Sequence, residues 1–209
     1  MSYKHIIFDI DGTLLDTEKT GIMSLKKTVF DVLGKEMSLD ELYPYFGITS
    51  SEAVVKLGFE DKSVVEKIWE ENFQSLSYLI QPFVGVDKML ERIKNEGLIL
   101  GIITSRTREE LISDLNIKRW FSLFDYIICA EDSKKHKPNP DPMFEYLSKS
   151  GAKAEECLYI GDTIYDYNCS NGAGVDFVLI DWSYRNKTDI AAKYIVNNSD
   201  DILNILGLK

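Results

Sequence analysis

Short apolar runs alternate along this chain with amphipathic stretches of helical length. HIIF from His5, LILGIIT from Leu98, FDYIIC from Phe124, CLYIG from Cys157 and VDFVLI from Val175 predict strands buried on both faces. Between them, residues 87–96 place Met89, Leu90 and Ile93 on one helical face and stop at Gly97. Residues 108–115 and 142–150 follow the same rule, and residues 200–206 read as a closing helix. Strands that alternate with helices in this way predict an α/β fold around a parallel sheet.

One interval breaks the rhythm. From residue 16 to residue 81 no strand pattern is found. A long helix is expected over 17–33, ended by Gly34, followed by Tyr43-Pro44 and two more helical patterns. Residues 64–79 carry Val64, Val65, Ile68, Trp69, Phe73 and Leu76 at helical spacing, and Trp69 and Phe73 read as core packing. Pro82 and Gly85 mark the return to alternation. The expected organisation is therefore a core formed by residues 1–15 and 82–209, with an all-helical insert over 16–81 that looks like a cap domain.

Composition narrows the function classes. The chain has 209 residues, 44% of them apolar and 28% charged, enough for a sizeable core. A net charge of −10 disfavours nucleic acid and anionic membranes, so neither is expected as a partner. The stretch MSYKHIIFDID enters a strand at once with no charged-then-apolar leader, and no apolar run approaches a membrane span. Three cysteines, Cys129, Cys157 and Cys169, without a CxxC pair, predict reduced thiols and a cytoplasmic protein. His5 and His136 lie far apart in sequence, which argues against a histidine-rich zinc site.

The unusual polar residues fall at the ends of the predicted strands. HIIF runs into Asp9-Ile10-Asp11-Gly12-Thr13, and LILGII into Thr104-Ser105-Arg106. FDYIIC is followed by Lys137-Pro138-Asn139-Pro140-Asp141, and CLYI by Gly161-Asp162-Thr163, with Asp166 beyond. In a parallel sheet the carboxyl ends of strands share one edge, where ligands bind, so these segments should converge. Clustered carboxylates can hold a hard divalent cation, and a hydroxyl, backbone amides and a lysine can hold phosphate oxygens. An EF-hand loop starting at Asp9 is excluded, since its sixth position is Leu14 and its twelfth is Thr20.

At these residues the sequence resembles the haloacid dehalogenase-like hydrolases, in the phosphatase branch with a helical cap. Asp9 to Thr13 is similar to the DxDGT motif, Thr104-Ser105 to the second motif, Lys137 to Asp141 to the KPxPD form of the third, and Gly161 to Asp166 to GDxxxD. The resemblance spans almost the whole chain and implies a Rossmann-like parallel core. It implies Asp9 as a nucleophile that forms an aspartyl-phosphate and Asp11 as general acid and base. Gly12 would let the chain turn so that Asp11 faces the leaving group. Thr104 and the Ser105 amide would bind phosphate, and Lys137 would offset the charge on Asp9 and the phosphoryl group. Mg²⁺ is the implied cofactor, with Asp9, the Asp11 carbonyl and Asp162 as ligands and Asp166 supporting the metal's waters. From the residues alone, Asp9 and Gly12 also fit a strand-ending turn, Thr104 or Thr107 a helix N-cap, Lys137 a solvated surface, and Asp166 a first-turn helix carboxylate.

Substrate choice would then lie in the cap. The run Phe46 to Glu52 resembles the loop that reads the leaving group, which makes Gly47 and Thr49 candidate substrate-binding residues. A helix start capped by Ser50 or Ser51 accounts for the same run equally well. Arg106 is a further candidate for substrate binding, although a surface position accounts for it too, and Tyr43 reads as packing. Beta-phosphoglucomutases share all four motifs but carry an arginine in the cap loop, and Gly47-Ile48-Thr49-Ser50 has none. Thr104-Ser105-Arg106 resembles the TSK and TNK forms of phosphoglycolate-type phosphatases and pyrophosphatases. The expected function is a Mg²⁺-dependent phosphatase acting on small soluble phosphate monoesters, as a monomer. The alternatives are a sugar phosphomutase, a pyrophosphatase and, more distantly, a phosphate-ligand sensor.

Overall fold

A computed structural model describes residues 3–45, 48–182 and 190–208. Along the chain, β1 (His5–Phe8) and the two-residue β2 (Leu15–Asp16) precede four helices, α1 (Glu18–Leu33), α2 (Leu39–Leu42), α3 (Ser50–Lys56) and α4 (Lys62–Leu76). The two-residue β3 (Gln81–Pro82) opens an alternating series: α5 (Val86–Asn95), β4 (Ile99–Ile103), α6 (Arg108–Ser113), α7 (Leu115–Lys118) and β5 (Tyr126–Ile128). It continues through α8 (Asp141–Ser150), β6 (Cys157–Gly161), α9 (Ile164–Gly172), β7 (Asp176–Ile180), β8 (Tyr194–Val196) and α10 (Ser199–Leu206). The chain divides into two compact units, one formed by Met1–Leu15 with Pro82–Lys209 and the other by Asp16–Gln81.

In the first unit, six of the described strands form one sheet in the order β5-β4-β1-β6-β7-β8, and every registered pair is parallel. The crossover helices cover its faces, which is why β1 and β6 are buried at every position. On one face Ile7, Ile103, Ile128, Tyr159 and Phe177 pack with Met143 and Tyr146 of α8 and Cys169 of α9. Strand β8 has no counterpart in the apolar pattern. It is three residues long, and only Val196 is fully buried, so it carries little hydrophobic signal.

In the second unit, Ile22, Leu25 and Val29 of α1 meet Leu42, Val54, Phe59 and Val65 in a small core. Helix α1 ends where Gly34 adopts φ 62°, a left-handed conformation open to glycine at little steric cost. Helix α3 starts at Ser50, and its cap is Thr49 rather than Ser50 or Ser51. The Thr49 hydroxyl accepts the Glu52 N–H at 3.2 Å. Helix α4 departs from a simple apolar stripe. Val64 is half exposed and Asn72 is buried, donating to Thr28 Oγ1 at 3.0 Å and to Asp31 at 3.2 Å. Trp69 is partly buried in the core and donates from Nε1 to Ser24 Oγ at 3.0 Å. A polar seam thus joins α1 to α4, because a buried amide must find partners.

Candidate active site

The register of the sheet sets up the site. Phe8, the last residue of β1, pairs with Ile102 of β4 on one side and Ile160 of β6 on the other. The next residues along each strand are therefore Asp9, Ile103-Thr104 and Gly161-Asp162, side by side at one edge. Asp9 continues the ladder by donating its N–H to Ile160 O at 2.9 Å, and Thr104 does so to Ile128 O at 3.0 Å. The chain turns at Gly12, which has φ 78° and packs against the Asp162 carboxylate. A Cβ placed there would lie 2.5 Å from Asp162 Oδ2, so both conformation and space demand glycine.

Lys137 is the hub of the site. Its ammonium is almost wholly enclosed and donates to Asp9 Oδ1 at 2.8 Å and Asp166 Oδ1 at 2.7 Å. It also donates to the Tyr159 hydroxyl at 3.2 Å, and that hydroxyl lies 2.8 Å from Asp166 Oδ1. Burial favours the neutral amine, but Asp166 and Asp9 hold the Lys137 pKa above that of an ordinary lysine. Asp166 uses its second oxygen on Thr163, accepting the backbone N–H at 3.1 Å and the hydroxyl at 2.5 Å. Thr163 and Asp166 together form the capping box that opens α9. Burial pushes the Asp166 carboxyl up, yet Lys137, with hydrogen bonds from Thr163 and Tyr159, keeps it below the usual carboxylate range.

Asp11 faces a different cation. Arg106 grips it with two donors, Nε to Oδ2 at 2.8 Å and a terminal nitrogen to Oδ1 at 2.7 Å, and reaches Asp114 with the other terminal nitrogen at 2.7 Å. Arg106 is buried, which corrects the reading of it as a surface residue. Two carboxylates on opposite sides of the guanidinium make the buried position tolerable.

The donor set fits a hard divalent cation. Asp9, Asp162 and Asp166 are all buried, and each brings an atom to within 4.8 Å of the others. Lys137 contacts Asp9 and Asp166 of the three, and burial pushes the Asp9 carboxyl well above its usual range. Lys137 opposes this rise, while Asp166, Asp11 and Asp162 add to it. A divalent cation would relieve that repulsion, and oxygen-only ligands suit Mg²⁺. Asp9 and Asp162 are the residues that would hold it. Asp166 belongs to the same cluster and also accepts from Lys137 and Thr163 through its two oxygens.

The structure thus brings Asp9, Gly12, Lys137, Asp162 and Asp166 together, with Thr104 on the neighbouring strand end. Thr104 is buried, and its hydroxyl accepts the Arg106 N–H at 3.2 Å. The N-cap of α6 is Thr107, in a capping box with Glu110, so Thr104 does not serve as that cap. Ser105 follows and is half-buried. Gly47 lies outside the described residues, and the Thr49 hydroxyl serves the start of α3. Tyr43 of the helical unit donates its hydroxyl to Glu18. Tyr159 and Asp114 were not legible as site residues. A tyrosine inside an apolar strand reads as core, and nothing in sequence ties Asp114 to Arg106. All three cysteines are free and buried, and burial pushes the Cys129 thiol up to about 11 and those of Cys157 and Cys169 to about 12. Among the described residues no helix is long and apolar enough to cross a membrane.

This geometry matches known proteins along nearly its full length. A family model described as haloacid dehalogenase-like hydrolase matches residues 6–180. A protein of Caldanaerobacter subterraneus subsp. tengcongensis, described as a pyrophosphatase PpaX, is 31% identical over 88% of this chain and 84% of its own length. The pyrophosphatase PpaX of Bacillus mycoides is 25% identical over 99% of this chain and 98% of its own. A crystal structure from Lactobacillus plantarum, described as a phosphoglycolate phosphatase, superposes with a TM-score of 0.87 at 27% identity, covering 98% of this chain and 100% of that one. The strand-end motifs, their convergence on one sheet edge and these likenesses agree, and the chain belongs to the haloacid dehalogenase-like hydrolases.

Proposed function

We propose that this hydrolase is a Mg²⁺-dependent phosphatase that cleaves small soluble phosphate esters through a phosphorylated Asp9. The observation that carries the reading is the Lys137 bridge, which pairs a buried carboxylate at a strand end with a buried ammonium and backs it with Asp166. A carboxylate needs no base to become a nucleophile, so such a site suits direct attack on phosphorus. When bound, Mg²⁺ supplies charge neutralisation among the carboxylates and polarises the phosphoryl oxygens.

An Asp9 oxygen bonds to phosphorus as the ester P–O bond breaks, and Asp11 in its acid form gives a proton to the departing oxygen. Asp11, now a base, takes a proton from water as that water attacks the phosphoryl group, releasing phosphate and regenerating Asp9. Lys137 holds Asp9 and offsets charge on the transferring group, and the Thr104 hydroxyl with the Ser105 amide receives phosphate oxygens. The helical unit is assigned the choice of leaving group, with Gly47 and Thr49 as its candidate residues.

A second reading, a pyrophosphatase, is favoured by the names of two relatives that match along most of the chain. Phosphate release should be measured with Mg²⁺ on a panel of phosphomonoesters and on pyrophosphate, for wild type beside Asp9→Asn. Release by wild type alone supports the proposal, and the best substrate chooses between the two readings. Retained activity in Asp9→Asn would sink the nucleophile assignment. No release from any substrate would overturn both readings and turn attention to a mutase assay with a sugar bisphosphate.

A further inference from the structure

The bridge between Arg106 and Asp11 has no place in the steps above, yet it is a fully built, largely buried ion pair. Two donors of one guanidinium meet both oxygens of Asp11 at 2.8 and 2.7 Å. Bidentate pairing of this kind restricts a carboxylate in rotation as well as position. Each Asp11 oxygen keeps a further lone pair that can take a proton from water, and one oxygen must release its guanidinium donor to carry the proton of the acid step. The guanidinium is itself held. Its remaining terminal nitrogen is 2.7 Å from Asp114 Oδ2, and Asp114 Oδ1 accepts the Asn116 N–H at 2.8 Å as the N-cap of α7. The backbone on either side of the arginine is also tied down. Its N–H meets Thr104 Oγ1 at 3.2 Å, and its carbonyl accepts the Ala130 N–H at 2.9 Å. The side chains of Arg106 and Asp114 are 10% and 8% exposed, so solvent screens the arrangement little. Asp11, at 24%, is the more open end. A rigid, buried support that ends on a more accessible carboxylate has the form of a mount.

We propose that Arg106 is a positioning residue that sets the direction of the Asp11 carboxylate, with Asp114 and the start of α7 holding the arginine. The inference rests on the reading of Asp11 as the proton-transfer group. It differs from a substrate-binding role for Arg106, because the donors that a substrate would need are turned to Asp11 and Asp114. Orientation of a proton-transfer group acts on the chemical steps more than on ground-state binding. A lysine cannot replace it, since a point charge cannot span both Asp11 oxygens and reach Asp114.

The test is a double-mutant cycle on purified protein with Mg²⁺ and p-nitrophenyl phosphate, at enzyme concentrations high enough to read residual turnover. Arg106→Ala should lower kcat by about 10- to 100-fold with KM changed by less than about threefold. Arg106→Lys should resemble it, and free guanidinium should restore part of the kcat of Arg106→Ala. In an Asp11→Asn background, Arg106→Ala should cost nothing further, since both act through one group. Losses that multiply in the double variant, or a raised KM with kcat kept, would overturn the inference and return Arg106 to substrate binding. Asp114→Asn keeps Arg106 and the pair with Asp11. It should lower kcat by a smaller factor at unchanged KM, which preserves the test if Arg106→Ala does not fold by circular dichroism; full kcat in Asp114→Asn would overturn the mount. Failure of the underlying reading looks different: Asp11→Asn itself would keep wild-type turnover.

Discussion

Lys137 is the residue on which most of the candidate site depends. Its ammonium has exchanged water for two carboxylates and a phenol, an arrangement that is costly to break from one side. Lys137→Met should lower kcat by at least about 100-fold. The same change should destabilise the fold by about 3–5 kcal/mol, because Asp9 and Asp166 lose their cation in a buried place. Steady-state rates and urea unfolding check the two effects separately. A second single-residue effect lies at the start of β1, the strand that Asp9 follows. His5 is buried with Nδ1 3.1 Å from the Tyr146 hydroxyl and its ring edge-on to the tyrosine. Burial pushes its pKa below the ordinary 6.5, with Glu156 and Asp125 opposing and Lys4 adding to the shift. The unfolded chain therefore binds a proton that the folded chain resists. Stability from this residue is complete above 6.5 and falls as pH drops below it. His5→Phe should flatten the dependence of the urea midpoint between about pH 7.5 and pH 5.

At the scale of elements, Thr104 and Thr107 divide two tasks that sequence alone leaves open. Thr107 opens α6 in a capping box with Glu110, while Thr104 ends the β4 ladder with its hydroxyl free of capping duty. Thr107→Ala should cost about 1 kcal/mol of stability with little change in kcat. Thr104→Ala should instead reduce kcat, and denaturation curves beside phosphate-release rates distinguish them. Strands β1, β4, β6 and β7 were legible because each is an apolar run buried on both faces. Strand β8 was not, since its pairing with β7 rests on backbone hydrogen bonds more than on burial. The Asn72 seam between α1 and α4 was hidden for a related reason. Helical spacing shows which residues face a core, and hydrogen bonds within that face depend on the partner helix.

Across the whole molecule, the candidate centre gathers excess negative charge in a protein that already carries −10. Binding of Mg²⁺ to the folded chain should therefore stabilise it by an amount that grows with the logarithm of its excess over Kd, about 2.7 kcal/mol at 100 times Kd, and so raise the unfolding temperature. Differential scanning fluorimetry with and without Mg²⁺ measures this shift, and Asp162→Asn should abolish most of it. A chelator should stop turnover, and added Mg²⁺ should restore it. A shift unchanged in Asp162→Asn would place the ion elsewhere.

By itself the sequence determined the alternation of strand and helix, the helical interval between Asp16 and Gln81, and the chemical types gathered at the strand ends. Those features follow from local periodicity and from the rule that parallel strands expose their carboxyl ends at one edge. Only the tertiary structure decided which charges meet. Lys137 is 128 residues from Asp9, a pairing that the motif resemblance anticipated without its geometry, and Arg106 is 95 from Asp11, a pairing that no local pattern indicates. It also decided that Arg106 is buried, that Tyr159 lends its hydroxyl to Asp166, and that Gly12 must clear Asp162. Each of these is settled by side chains that share a small enclosed volume, where desolvation obliges every charged group to find a partner.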